Sequence, residues 1–232
     1  MTAPGAQRLN VTPDQERHLA VRRTARYVRL GGEGQIVDVW VCIHGFGQLA
    51  RRFARDLGPL VAPGRLVLVP EALNRYYQAS TTDDHKNAPV GATWMTREDR
   101  AHEIGDYVAY LDALYGAEIA PHVAHGARVT ALGFSQGVTT VVRWATLGQS
   151  TIHRLVCWAG ALPHDLDLAA HAARLRPLET AMVIGDRDEF ADWAAVEAQV
   201  ARLDAAGIPH TLHRFEGTHT LHDATLAELA RR

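Results

Sequence analysis

The stretch Val129-Thr130-Ala131-Leu132-Gly133-Phe134-Ser135-Gln136-Gly137 sets an apolar run, a Gly-x-Ser-x-Gly turn and a helix start in immediate succession. The run predicts a strand, and Val138, Val141, Val142 and Ala145 continue at helical spacing until Gly148 stops the helix. A serine between them sits on a sharp strand-to-helix turn, the arrangement of a nucleophile elbow. Gly133 and Gly137 remove side chains where the turn crowds its neighbours, and Gln136 brings a backbone N–H to the new helix's N-terminus. A hydroxyl is a weak nucleophile. The turn therefore carries chemistry only if the chain also supplies a base, an acid to orient that base, and donors for an oxyanion.

Outward from this stretch, short β-rich runs alternate with longer helical patterns, which predicts an α/β fold with a mostly parallel sheet covered by helices on both faces. Strands are expected at 26–30, 36–43, 66–70, 155–159, 181–184 and 211–215, with the first two as a candidate antiparallel edge pair. The clearest helix runs from Arg97 to Tyr115, with Thr96 as cap and Gly116 just past its end. Another lies between Ala191 and Ala206, and a closing helix covers Leu221 to Leu229. The polar residues 1–25 read as an N-terminal extension and 26–232 as one domain. Residues 71–96 fit neither pattern and are too long for an ordinary connection. They are assigned to the wall of a substrate pocket at the carboxyl edge of the sheet, where ligands bind in open α/β sheets.

The candidate acid is Asp188 in Gly185-Asp186-Arg187-Asp188, directly after a β-rich run, with Asp186 as its rival. The candidate base is His219, after the last strand and before the closing helix, where His222 sits a little further on. Most of the 13 histidines must be ordinary residues, and position after the acid singles this one out. The order Ser135, Asp188, His219 is the α/β-hydrolase order. Donors for the oxyanion are expected from the N–H of Phe46, in Ile43-His44-Gly45-Phe46-Gly47-Gln48, and from the N–H of Gln136. His44 reads as a residue that orders this loop. Tyr76, Tyr77, Trp94 and Met95 are expected to line an apolar pocket, although aromatic residues near a helix start are as often core packing.

Composition narrows the function class. The chain has 232 residues, 47% hydrophobic and 22% charged, with net charge -2 and no dense Lys/Arg block, so nucleic acid and anionic membrane are not expected partners. The sequence has no transmembrane-length apolar run and no signal-peptide pattern, which leads to the expectation of a cytoplasmic protein. Cys42 and Cys157 lie inside strand-like runs and read as buried small hydrophobes. No cofactor is expected, since the glycines at 31, 32 and 34 open no helix. No metal is expected either: Asp83-Asp84-His85 diverge on a loop, and Glu216, His219, His222 and Asp223 lack a ligand frame. Association into a homo-oligomer is left open.

With these residues in hand, the chain resembles the phospholipase/carboxylesterase group of α/β-hydrolases, which includes small carboxylesterases and acyl-protein thioesterases. The resemblance runs from Arg26 to the C-terminus and rests on Ile43-His44-Gly45-Phe46-Gly47, Gly91-Ala92-Thr93-Trp94, Gly133-Phe134-Ser135-Gln136-Gly137, Gly185-Asp186-Arg187-Asp188 and His219. It implies hydrolysis of a small-molecule carboxylic ester of short to medium chain, with Ser135 as nucleophile, Asp188 orienting His219, and Phe46 and Gln136 holding the oxyanion. The chain departs from the group at Gln48, where Asp is usual, at Val138, where a second Gly is usual, at Phe190-Ala191, where Val-Pro is usual, and at Thr218, where Gly usually precedes the histidine. Thioester hydrolysis, amide hydrolysis and a silent ligand-binding protein are the alternatives.

Overall fold

The computed structural model describes residues 12–78 and 87–231. Its strands are β1 (Tyr27–Gly31), β2 (Asp38–Ile43), β3 (Arg65–Pro70), β4 (Asn74–Tyr77), β5 (Val90–Thr93), β6 (Arg128–Phe134), β7 (Arg154–Trp158), β8 (Glu179–Gly185) and β9 (His210–Phe215). Seven of them form one sheet in the order β1-β3-β2-β6-β7-β8-β9, and β4 with β5 forms a separate hairpin. From β3 to β9 every pairing in the large sheet is parallel, and only β1 is antiparallel.

Parallel strands covered on both faces must be apolar on both, and β2, β3, β6, β7 and β8 are almost wholly buried. Their alternate residues feed two cores. Val39, Val41, Ile43, Val129 and Ala131 face the layer formed by α2 (Arg100–Glu118), α4 (Gln136–Leu147) and α6 (Trp193–Ala205). Trp40, Cys42, Leu132 and Phe134 face the layer formed by α1 (Ala50–Phe53), the 3-10 segment Ala54–Leu60 and α7 (Asp223–Arg231). The short helices α3 (Ala120–Val123) and α5 (Ala172–Leu175) complete the set. Cys42 and Cys157 are buried and free in opposite layers, and burial pushes the Cys157 thiol up to about 12. Among the described residues no helix is long and apolar enough to cross a membrane.

The topology decides where a site can form. From β2 the chain moves by α1 to β3 on one side, whereas from β6 it moves by α4 to β7 on the other. Loops leaving the carboxyl ends of β2 and β6 therefore diverge, and a crevice opens between them. Residues 44–49 and Ser135 lie on those two loops.

Several local expectations are corrected. β1 pairs with β3 rather than β2, because β2 is central and both its edges are taken by β3 and β6. α2 begins at Arg100: Asp99 takes the left-handed conformation (φ 47°) at the N-cap, and Thr96 is held outside the helix by Glu103, whose carboxylate accepts from its backbone N–H at 2.5 Å. It runs through Gly116 to Glu118, and the fully buried Ile119 follows. The closing helix starts at Asp223. Residues 71–96 contain the β4–β5 hairpin, in which Tyr76 pairs with Gly91 and Asn74 with Thr93. Asp83, Asp84 and His85 lie outside the described residues.

Glu71, directly after β3, fastens this region. It is 1% exposed, accepts from Arg26 (2.6 and 3.0 Å) and Arg75 (3.0 Å), and also accepts from the Ala50 N–H (3.2 Å). Burial pushes its pKa up, but these donors and the two positive charges outweigh burial and hold the carboxyl below its ordinary value. Its ionised form thus stabilises the fold above the unfolded pKa of about 4.3, and that contribution is lost as pH falls through the lower folded value. Replacing Glu71 by Gln should lower unfolding free energy by about 2 kcal/mol at pH 7. Urea unfolding should show the gap to wild type narrowing below about pH 4, and a gap independent of pH would contradict the ionic account.

Candidate active site

Ser135 stands between β6 and α4 with φ 54° and ψ -118°, a backbone conformation that a residue with a side chain rarely adopts. Close backbone approach enforces it. A Cβ on Gly133 would lie 2.3 Å from the Gly137 carbonyl oxygen, and one on Gly137 would lie 2.3 Å from the Ile43 oxygen. Gly160, after β7, was not singled out from the sequence, yet a Cβ there would lie 2.2 Å from the Ser135 oxygen. Only the spatial arrangement reveals it. The Ser135 N–H donates to the Trp158 carbonyl at 2.8 Å, which ties the turn to β7.

On the β8–β9 side, His219 Nδ1 lies 2.9 and 3.0 Å from the two oxygens of Asp188. Asp188 is buried and also accepts from the Phe190 N–H at 2.9 Å. Asp186 does something else: its carboxylate accepts from the Gly217 N–H at 2.9 Å and braces the loop that carries the histidine. Trp158 braces the same loop from below, its indole donating to the Thr220 oxygen at 2.9 Å. The imidazole is flanked by Phe134, at 5.0 Å between ring centroids, and edge-on by Phe190, at 4.8 Å. With Nδ1 engaged by a carboxylate, the ring donates through Nδ1, and Nε2 lies outside this pair. His222 is turned to Thr225, 2.9 Å from its hydroxyl.

The loop after β2 packs against the turn. A Cβ on Gly45 would come within 3.1 Å of both Phe134 and the Ser135 Cβ, and the Gly45 N–H donates to the Gln48 side chain at 2.8 Å. His44 is fully buried beneath it. Its Nε2 accepts from the Ala72 N–H at 3.0 Å, so Nδ1 carries the proton and donates to the Gly45 oxygen at 2.8 Å. Burial pushes its pKa down, which keeps the ring neutral. Phe46 is 62% exposed, with its ring 5.5 Å from that of Tyr76. Gln136 opens α4, where the first amides lack intrahelical acceptors.

The Gln136 side chain has a further part that sequence reasoning missed. Its oxygen accepts from the Trp94 N–H at 3.2 Å, and its amide nitrogen donates to the Thr93 hydroxyl and the Met95 oxygen, both at 3.0 Å. On the other edge, the Gly47 N–H donates to Ala92 at 2.8 Å and Gln78 donates to the Gly47 oxygen at 2.9 Å. The hairpin is thus clamped onto both loops. Of its expected pocket residues, Tyr77 is exposed, Tyr76 and Met95 are half-buried, and Trp94 is 1% exposed. Trp94 is a core side chain, not a pocket wall: its indole donates to the His44 oxygen at 2.9 Å and meets Tyr107 edge-on. Among the described residues, His18, Asp99 and His102 form the one group of three whose metal-type donor atoms lie within 4.8 Å of one another, and all three are exposed. The Glu216, His219, His222, Asp223 set does not converge.

Neither a family model nor a curated protein matches the sequence. Solved structures do. The acyl-protein thioesterase 2 of Zea mays superposes with a TM-score of 0.70 at 17% identity, over 90% of this chain and 97% of that one. The fold is that of the α/β-hydrolases. A carboxylesterase from Mesorhizobium loti (TM-score 0.65, 19% identity, 89% and 93% covered) and SOBER1 of Arabidopsis thaliana (0.64, 16%, 84% and 96%) share it.

In this α/β-hydrolase fold Trp94 and Gly160 support the site from beneath. Replacing Trp94 by Ala should lower stability by about 4 kcal/mol in urea unfolding. Gly160→Ala should lower it by about 3 kcal/mol through overpacking at the turn. Near-neutral values for both would mean that the turn is less tightly held than the contacts imply.

Proposed function

We propose that the protein is a serine hydrolase of carboxylic esters that works through an acyl-enzyme without a cofactor. The observation that carries this reading is the Asp188–His219 pair at 2.9 Å on the same sheet edge as a serine held at positive φ. In the proposed reaction Ser135 Oγ attacks the ester carbonyl as His219 Nε2 takes the hydroxyl proton. The new C–O bond forms, and the carbonyl oxygen gains the negative charge. The N–H groups of Phe46 and Gln136 hold that oxyanion, each such donor typically contributing about 3 kcal/mol. Collapse of the intermediate breaks the bond to the alcohol, which takes its proton from His219. Water then repeats the sequence on the acyl group and frees Ser135. Asp188 keeps Nδ1 protonated and stabilises the imidazolium that forms in between.

Likeness to an acyl-protein thioesterase favours one second reading, thioester hydrolysis by the same groups. Matched ester and thioester substrates separate the two by their kcat/KM ratio.

The test is a comparison of four proteins on p-nitrophenyl esters and a fluorophosphonate probe. Ser135→Ala should abolish both turnover and labelling. Asp188→Asn should lower kcat by about 10⁴-fold, and Asp186→Asn, which keeps an oxygen for the Gly217 N–H, should stay within about tenfold of wild type. Wild-type protein that neither turns over nor labels would point instead to a silent ligand-binding role. A larger loss at Asp186 than at Asp188 would reassign the acid.

A further inference from the structure

Resting on the esterase reading, we infer that the cavity beside the Asp188–His219 pair holds the leaving alcohol of the substrate and selects compact alkyl groups over anionic ones. The cavity has a volume of about 130 Å³ and lies between the Ala159–Ala161 turn after β7 and the start of α6. Its walls include Ala161, Ile184, Phe190, Ala191, Ala195 and Val196, together with an edge of Asp188. Gly160, on the same wall, lies against the Ser135 backbone. The cavity therefore borders the acid directly and reaches the serine's backbone through Gly160.

Two independent observations give it this role. The first is its side of the serine. His219 must return its proton to the oxygen that leaves, so the group on that oxygen sits on the imidazole side, while the carbonyl oxygen faces the loop of Phe46. Phe190 is 75% exposed, forms a wall of the cavity and meets the His219 ring edge-on, which puts the cavity on that imidazole side.

The second is the chemistry of the walls. No cation lines the cavity. Its polar groups are engaged elsewhere: Gln199 accepts from the Leu162 N–H at 2.6 Å and donates to the Ala195 oxygen at 3.3 Å, Asp192 caps α6 through the Ala194 N–H at 3.1 Å, and Asp188 holds His219. An anionic substituent would find no counter-ion there, whereas an alkyl group meets alanine, isoleucine and valine. At ~30 Å³ for each water-sized group the cavity takes about four such groups.

The test varies alcohol and acyl group separately. For acetate esters of methanol through octanol, kcat/KM should rise to about butyl and fall beyond it, and acetoxyacetate should react more slowly than its uncharged isobutyl isostere. Ala195→Leu, on a helix face where Leu is well tolerated, should lower the butyl-to-methyl ratio by about tenfold or more. The ratio across methyl esters of acetate to hexanoate should not change, and neither should single-turnover hydrolysis of the pre-formed acyl-enzyme, from which the alcohol has gone. Phe190→Ala should move the optimum to longer alcohols, which keeps the test standing if the leucine variant does not fold. A shift in the acyl series, a changed deacylation rate or a preference for acetoxyacetate would overturn the assignment. Fluorophosphonate labelling of wild-type Ser135 separates the two levels. An adduct with no shift in the alcohol series sinks the pocket alone, and absence of any adduct sinks the esterase reading beneath it.

Discussion

Around Ser135 three pieces of backbone meet at distances that no side chain permits, and the rest of the site follows from that constraint. Gly133, Gly137 and Gly160 each stand where a Cβ would lie 2.2 to 2.3 Å from a carbonyl oxygen. The turn can then hold Ser135 at φ 54°, a conformation that costs on the order of 1–3 kcal/mol for a residue with a side chain. The surroundings offset that cost through the Ser135 to Trp158 hydrogen bond and the burial of nearly all of α4 against the sheet. A loosely packed turn would relax and withdraw the hydroxyl.

From this point the two halves of the site are fastened by separate means. On the His219 side, Trp158 accepts from the Ser135 N–H and donates through its indole to Thr220, so one residue of β7 spaces Ser135 against the histidine loop. Asp186 and Asp188 divide the remaining work, one holding the loop and the other the imidazole. On the opposite side, the fully buried His44 and the Gln136 amide tie the loop after β2, the end of β5 and the start of α4 together. Because the His44 and Gln136 braces use hydrogen bonds between uncharged groups, they are less sensitive to salt than surface ion pairs.

The parts legible in the sequence were those set by local periodicity and by glycine spacing. The apolar runs of β2, β6 and β8 are unambiguous because both their faces are buried, and the order of strands and helices follows. Pairing was less legible. β1 looked like the partner of β2 because neighbours in sequence usually pair, but nothing local reports that β2 would be enclosed by β3 and β6. The β4–β5 hairpin escaped for a similar reason: Tyr77 and Val90 pair across an intervening segment with no tight-turn signature between them. Trp94 shows the limit for side chains. Its position in an irregular segment suggested a pocket, and its burial depends on Tyr107 and the His44 carbonyl, which are distant in sequence. That Asp188 meets His219 while Asp186 meets the Gly217 N–H was likewise not legible in the sequence, since both follow the same strand.

The central claim is that Ser135 becomes covalently acylated and freed again during turnover. It is tested most directly by quenching the protein in acid during steady-state hydrolysis of an activated ester and measuring intact and peptide masses. The account predicts a mass increase of one acyl group on the peptide containing Ser135, formed and lost at rates that match turnover. Turnover with the acyl group on another residue, or with no covalent species at any time, would contradict it.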